Sequence, residues 1–250
     1  MSKKILRILL TMTLCLFLFP VFVHAEENPA PITTLYVNGV DVLENPHTGD
    51  WRFDASTGTL TLYDIEITTG YEAEDSPGTY AGIYAEGDLN IVSGGEGTDI
   101  ISLSQPEVKS AYGILVSGDL NITETQLCIR NNLIPNESYG IVALGNITIS
   151  DAVIEYQCYF NSLSSVGIFG FSQLDIQNSK LIDIRAPYTE SGFGLLSYGG
   201  ITLNNNDEVY ISGMQAGIFS ALELNITDTY VDASAESIGV LASWIILDHN

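Results

Sequence analysis

Residues 112–130 read YGILVSGDLNITETQLCIR, and versions of this stretch recur along the chain. Near the start of each copy, a glycine precedes an aliphatic residue. Successive marker glycines lie 31, 27, 27, 27, 23 and 22 residues apart. They are Gly82, Gly113, Gly140, Gly167, Gly194, Gly217 and Gly239. Self-similarity at such a period indicates one supersecondary unit that stacks on copies of itself.

Every copy contains three short apolar runs separated by turn-forming residues. In the second run a polar residue lies between two aliphatic ones, as in Leu120-Asn121-Ile122. That alternation is typical of a strand with one buried face. Three strands in 22 to 31 residues leave no room for a helix, and the leucine pattern of a leucine-rich repeat is missing. We therefore predict an all-β protein, a right-handed parallel β-helix of about seven coils.

The first residues differ in composition from everything that follows. Residues 1–25 carry three basic residues ahead of an apolar run and end with Val23-His24-Ala25, a small-residue cleavage motif. This order is typical of a secretory signal peptide, whereas an uncleaved membrane anchor would need a longer apolar run. We therefore predict a secreted, extracellular protein without a membrane segment after cleavage.

The two ends of the predicted solenoid differ. Residues 26–68 contain hairpin patterns around Asn38-Gly39 and around residues 54–58, and an N-terminal β-hairpin cap is expected there. Residues 69–250 carry the coils, and the last copy, residues 240–247, has no cap after it. We expect either a partner chain that covers this open C-terminal coil or a truncated chain, with truncation the favoured interpretation.

Net charge limits the classes of partner. Beyond residue 25 the chain keeps five of its eight basic residues and all 31 acidic ones, so its net charge is −26. A surface this acidic repels nucleic acid and anionic lipid, and we exclude both as partners. It suits a solvated extracellular exterior, or one that attracts divalent cations.

The run that follows each glycine is apolar on both faces. Equivalent positions of successive copies form columns. The first position after the glycine gives a column that begins with Ile83 and Ile114, and the second gives a column with Tyr84, Phe169 and Phe219. Phe171 and Tyr198 lie two positions further along on the same face as that second column. A thin coil cannot enclose both columns, so one column should face outward, where it can stack on sugars or dock a partner unless flanking loops cover it. The predicted ligand-binding residues are Tyr84, Phe169, Phe171, Tyr198 and Phe219.

Four prolines lie five or seven residues ahead of a marker glycine, in polar insertions: Pro77, Pro106, Pro135 and Pro187. Because stacked coils are in register, these insertions should emerge along one corner of the solenoid. Loops on one edge of a rigid scaffold often carry recognition, so we predict a binding rim there. The alternative is that each proline only stiffens a tolerated insertion.

Two patterns bear on metals and redox chemistry. Residues 94–101, GGEGTDII, match a calcium-binding β-roll nonapeptide, but the match occurs once and a turn explains it. We therefore predict no metal site and no resident cofactor, with calcium as the alternative. Cys128 and Cys158 could pair in an oxidising compartment, although Cys128 lies between two inward residues and Cys158 shares the parity of Tyr156, which argues against a disulfide.

An enzymatic alternative rests on charged residues of the third run. Polysaccharide lyases and hydrolases on β-helices use carboxylates with a nearby Arg or Lys. The nearest set here is Arg130, Glu155, Asp183 and Arg185, but no histidine lies in a complete coil. The expected Asn-Thr-Asp, Gly-His-Gly and Arg-Ile-Lys signatures are absent. We therefore predict no catalytic residue.

Residues 34–250 resemble a family of large secreted or wall-associated proteins of Gram-positive bacteria, grouped with pectate-lyase-like β-helices. The resemblance rests on LYVNGV (residues 35–40), FDASTGTLTL (53–62) and coils such as GIYAEGDLNI (82–91). Such proteins often carry a carbohydrate-binding label. The resemblance implies a secreted, cell-wall-associated, adhesin-like protein that binds a glycan or a cell-surface ligand. A calcium-assisted polysaccharide lyase and a passive structural stalk are the alternatives.

Overall fold

The computed structural model describes residues 30–72, 77–104, 108–131, 136–158, 162–186 and 189–248. All its regular elements in these ranges are strands, arranged in a 17-stranded and a seven-stranded sheet. The predicted signal peptide, residues 1–25, lies outside the described residues. The all-β prediction is confirmed.

Each coil contributes three strands, which stack on their equivalents in the next coil. We call them glycine, ladder and third strands. The glycine strands are β7 (Thr79–Glu86), β10 (Ser110–Val116), β13 (Glu137–Ala143), β16 (Ser162–Gly170) and β19 (Thr189–Ser197). The ladder strands are β8 (Leu89–Ser93), β11 (Leu120–Thr123), β14 (Ile147–Ser150), β17 (Leu174–Gln177) and β20 (Ile201–Asn204). The third strands are β9 (Asp99–Ile101), β12 (Gln126–Asn131), β15 (Val153–Cys158), β18 (Leu181–Ala186), β21 (Glu208–Gly213) and β23 (Val231–Ala235).

In the last two coils the glycine and ladder strands merge. They form β22 (Ala216–Thr227) and β24 (Ile238–Asp248), with a register irregularity between Ser220 and Glu223. All neighbouring coils pair in parallel, for example Ile114 with Ile141 and Leu120 with Ile147. Six coils are complete and β24 begins a seventh, so the chain is a parallel β-solenoid. Its right-handedness stays a prediction.

Strands ahead of the first coil pair with all three of its strands. They are β1 (Thr34–Val37), β2 (Val40–Asp41), β3 (Trp51–Asp54), β4 (Thr59–Leu62), β5 (Glu66–Ile67) and β6 (Tyr71–Glu72). β1 and β6 run antiparallel to β7, while β4 and β5 run parallel to β8 and β9. β3 and β4 form the hairpin predicted around residues 54–58. Whether residues 26–68 function as a cap stays a prediction.

The core consists of aliphatic ladders inside the coils. The ladder-strand residues Leu89, Leu120, Leu174 and Leu224 are fully buried at the same position of their coils, and the coils between them carry isoleucine there. At the far end the pattern changes, because nothing pairs with the outer edge of β24 in the described residues. Ile245 is 51% exposed and Leu247 is 72% exposed.

From the second coil on, a left-handed residue turns the chain from the ladder strand to the third strand, and Asp64 takes the equivalent place between β4 and β5. The residues are Asp64, Glu124, Asp151, Asn178, Asn205 and Asp228, with φ between 44° and 53°. Asn and Asp enter this region at lower cost than other residues with a Cβ. Glu124 is the exception to the pattern.

We expect Glu124→Asp to raise the free energy of unfolding by about 0.5 kcal/mol, because aspartate tolerates the left-handed backbone better at equal charge. Asp151→Glu, the reverse exchange one coil later, should lower it by a similar amount. Urea unfolding followed by circular dichroism measures both. Equal stability of the two variants would contradict the assignment of strain to this corner.

Candidate functional site

The outward residues of the glycine strands form three columns, at the positions directly before each glycine and two and four positions after it. The strand bends at the glycine, between the first column and the other two. The inward residues Ile114, Ile141 and Ile168 are at most 1% exposed. At each glycine the strand comes close to the third strand across the core: a Cβ added at Gly113 would lie 2.7 Å from Cγ2 of Ile129. Outward residues directly before the glycine and two positions after it therefore lean toward one another.

These outward residues pack into an apolar cluster separate from the core. Val166, Leu196, Ala216 and Phe219 are between 2% and 9% exposed. Partly buried side chains pack against them: Tyr139, Phe169, Phe193 and Ala221. We call the surface formed by these eight residues together with Tyr112, Phe171 and Tyr198 the aromatic groove.

One part of the groove is an aromatic triad. Phe169 and Phe171 lie with ring centroids 4.7 Å apart, and Tyr198 meets both edge-on at 5.3 Å and 5.4 Å. All three side chains are half-buried. Three of the five predicted ligand-binding residues are thus in mutual contact and border solvent. Leu144, one coil before Phe171 in the same column, is 50% exposed and extends the apolar surface.

The other two predicted residues have different surroundings. Phe219 is 6% exposed and lies edge-on to Phe193 at 5.9 Å, so it supports the groove from below. Tyr84 ends an aromatic stack at the first coil: its ring lies 5.0 Å from that of Tyr71, which stacks on Tyr36 at 3.9 Å.

Sequence reasoning missed the column directly before the glycines. Tyr112 and Tyr139 stack with centroids 4.7 Å apart and planes 9° from parallel. Burial, together with the nearby carboxylate of Glu137, raises the pKa of both phenols. Glu137 itself is exposed and accepts a hydrogen bond from Oγ of Ser110 at 2.9 Å. The signal was present in the repeat alignment, where Tyr, Tyr, Val and Phe precede successive glycines from Gly113 to Gly194.

The proline rim is described at one position. Pro77 is exposed, and its carbonyl accepts a hydrogen bond from Nζ of Lys109 at 3.0 Å. The other predicted rim residues lie outside the described residues: Pro106, Pro135 and Pro187. The rim therefore stays a prediction.

The charged residues of the lyase alternative lie on the outer face of the third strands, opposite the aromatic groove. Glu155 and Asp183 are register neighbours, and Gln157 lies between Arg130 and Arg185 in the adjacent column. Asp183 accepts from Nε and Nη2 of Arg185, both at 2.7 Å. This pair borders a shallow groove of about 250 Å³ with Tyr210, Ser212, Asp232 and Ser234.

The glycine-rich calcium pattern forms a turn over Asp64. The backbone N–H of Gly97 donates to Oδ1 of Asp64 at 2.7 Å. Asp99 is 1% exposed and accepts from the N–H of Ile65 at 3.1 Å and from Oγ of Ser93 at 2.6 Å. Burial raises the pKa of Asp99. No group of three or more potential His, Cys, Asp or Glu ligands occurs among the described residues.

Cys128 and Cys158, the cysteines among the described residues, are buried and form no disulfide. Cys128 pairs in register with Glu155, whereas Cys158 pairs with Asn131, three positions further along the strand. Cys158 belongs to the core cluster and lies 3.9 Å from Oγ of Ser162. This register agrees with the different parities that the sequence predicted for Cys128 and Cys158.

No protein-family model, curated protein or solved structure matches the chain. The likeness to secreted Gram-positive proteins therefore stays a prediction. No described residue belongs to a helix long and apolar enough to cross a membrane.

Proposed function

We propose that this protein is a secreted, non-enzymatic β-helix that binds carbohydrate at a cell surface, and that the aromatic groove is its binding site. The observation that carries the proposal is the aromatic triad. It is half-buried on the outside of a rigid solenoid and packs against the apolar cluster that contains Val166 and Leu196. Contiguous apolar surface of this kind marks interaction sites in soluble proteins. The resemblance of residues 34–250 to wall-associated solenoid proteins supports the same class of ligand.

The geometry favours a chain-like ligand. Equivalent residues in adjacent coils lie about 4.8 Å apart, close to the length of one sugar ring in an extended polysaccharide. A glycan lying along the solenoid axis would meet one coil with each ring. Aromatic side chains present flat apolar faces to the C–H faces of sugars, while tyrosine hydroxyls such as that of Tyr198 can hydrogen-bond sugar hydroxyls.

We expect the triple variant Phe169→Ala/Phe171→Ala/Tyr198→Ala to lose glycan binding by at least about tenfold, because central aromatic contacts carry most of the energy of such interfaces. The measurement is a glycan-array screen on residues 26–250, followed by titration calorimetry with each glycan found. A matched control is Tyr210→Ala/Tyr230→Ala, which removes an aromatic pair from the opposite face.

The control should bind like the wild-type protein, and circular dichroism should show that both variants are folded. Binding that survives the triple variant would move the site away from the triad and toward the proline rim. A folded wild-type sample that binds no glycan would contradict the proposal and favour the passive stalk.

The alternative function, a calcium-assisted polysaccharide lyase, would use the charged residues on the outer face of the third strands. Glu155 and Asp183 share one register column, and Arg130 and Arg185 lie in the column two positions further along, so carboxylates and guanidinium groups occur side by side on this face. Release of reducing ends or unsaturated products from acidic polysaccharides, with calcium present, would support that alternative. Loss of the activity in Asp183→Asn would place it on this face.

A further inference from the structure

Positive charge is absent from the aromatic groove. The three outward columns of the glycine strands, those directly before each glycine and two and four positions after it, contain no lysine or arginine. Arg130 and Arg185 lie on the opposite face, in the third strands. Lys109, at the rim, donates to the carbonyl of Pro77. An anionic ligand in the groove would therefore find no cationic partner within these columns.

Negative charge, in contrast, borders the groove. Glu137 lies two residues before Tyr139 on the outward side of β13, and it pairs in register with Ser110, which lies two residues before Tyr112. Its carboxylate helps to raise the pKa of both phenols. At the first coil, Glu86 accepts hydrogen bonds from Oγ1 of Thr34 at 2.7 Å and from the hydroxyl of Tyr84 at 3.0 Å. These bonds lower the pKa of Glu86, so it is ionised at neutral pH.

We propose that the aromatic groove selects glycans by charge: it binds amino-sugar polymers with free ammonium groups most tightly, neutral polymers less tightly, and uronic-acid polymers not at all. This inference rests on the proposed carbohydrate-binding function. An ammonium group beside stacked tyrosines gains a cation–π attraction to the rings and a Coulomb attraction to the neighbouring carboxylate. A uronate would lose both and meet the repulsion of a chain whose net charge beyond residue 25 is −26.

The test compares three oligosaccharides of equal length by titration calorimetry at low and high salt. They are a fully deacetylated glucosamine oligomer, its N-acetylated counterpart, and a galacturonate oligomer. At low salt the deacetylated oligomer should bind about fivefold more tightly than the N-acetylated one, the size expected of one partly exposed ion pair. High salt should reduce that preference, because exposed charges are screened.

Glu137→Gln should reduce the ratio of the two affinities from about fivefold to below about twofold, because the ammonium group loses its neighbouring carboxylate. Glu66→Gln is the matched control: it removes the same charge from an exposed residue of β5, in the other sheet. That variant should keep the wild-type preference. The Phe169/Phe171/Tyr198 triple alanine variant should lose binding of both oligomers.

The possible results distinguish charge selection from carbohydrate binding itself. Equal affinity for all three oligomers, or tightest binding of the galacturonate, would overturn charge selection and leave carbohydrate binding standing. Deacetylated-oligomer binding that survives the triple variant would be general attraction to an acidic surface, and would also overturn it. If no oligomer binds and the glycan array is also negative, both charge selection and carbohydrate binding are overturned.

Discussion

Replacing Gly140 with alanine is expected to lower the free energy of unfolding by about 3 kcal/mol or to prevent folding, because the new methyl group has no space. A Cβ at this position would lie 2.7 Å from Cδ2 of the buried Tyr156 and closer still to the backbone carbonyl oxygen of Gly167 in the next coil. A long flexible side chain could move aside, but a carbonyl within a parallel ladder cannot. The coils on either side would have to separate.

Gly49→Ala is the matched control, since no atom lies within 4 Å of its added Cβ. We expect its unfolding midpoint to stay within experimental error of the wild-type value, or to rise slightly because alanine has less freedom in the unfolded chain. Thermal and urea unfolding followed by circular dichroism give both midpoints. Wild-type stability of Gly140→Ala would contradict the close approach of glycine and third strands.

The same close approach shapes the candidate site. Because the glycine strand bends toward the third strand, its outer surface becomes concave and brings Val166 into one cluster with Leu196 and Phe219. The marker glycines thus serve two purposes, one in coil packing and one in the shape of the groove. A larger residue at Gly167 or Gly194 would meet Ile184 or Ile211 and should flatten the groove as well as destabilise the coils.

Local sequence patterns were sufficient to predict the solenoid. The spacing of the marker glycines, the alternation of residues such as Leu120-Asn121-Ile122, and the absence of helical periodicity all describe one coil, and a coil repeats the same physics at every copy. Strand parity predicted that one of the two columns faces outward, and the structure shows that it is the one that contains Phe169, with Phe171 and Tyr198 on the same side.

Contacts between distant segments were not predictable in this way. Tyr84 looked like any member of its column, yet Tyr71 and Tyr36, from strands ahead of the coils, stack beside it. Phe219 shares the outward parity of Phe169 but is buried, because the bend at the glycine folds neighbouring side chains over it. Parity shows which way a side chain points and does not show what packs against it.

The third strand gave the weakest sequence signal, and the structure explains why. Tyr156 is fully buried inside the coil, where its hydroxyl lies 2.8 Å from Oγ of Ser138 and 3.0 Å from Oγ of Ser165. Tyr156 breaks the expected aliphatic pattern of the third strand, and its partners Ser138 and Ser165 belong to the glycine strands β13 and β16. Their hydroxyls satisfy one another, which removes the cost of burying them.

Truncating Leu203 to alanine is expected to lower the free energy of unfolding by about 3 kcal/mol, since a fully buried leucine loses both its transfer energy and its packing. Leu203 is fully buried in the middle of a ladder, in register with Ile176 on one side and Ile226 on the other. In a solenoid each coil contacts only its neighbours, so the loss weakens two coil interfaces at once. Urea unfolding measures it directly.

Leu247→Ala supplies a control of identical chemistry at the same column of the ladder, two coils later, where the side chain is 72% exposed. Its cost should be below about 0.5 kcal/mol, because an exposed surface substitution removes little packing. A loss as large as that of Leu203→Ala would mean that the open face of β24 is covered in solution. Unfolding at several protein concentrations would then identify what covers it. If the loss of unfolding free energy in Leu247→Ala becomes smaller on dilution, the covering molecule is a second copy of the chain, because only an intermolecular contact depends on concentration.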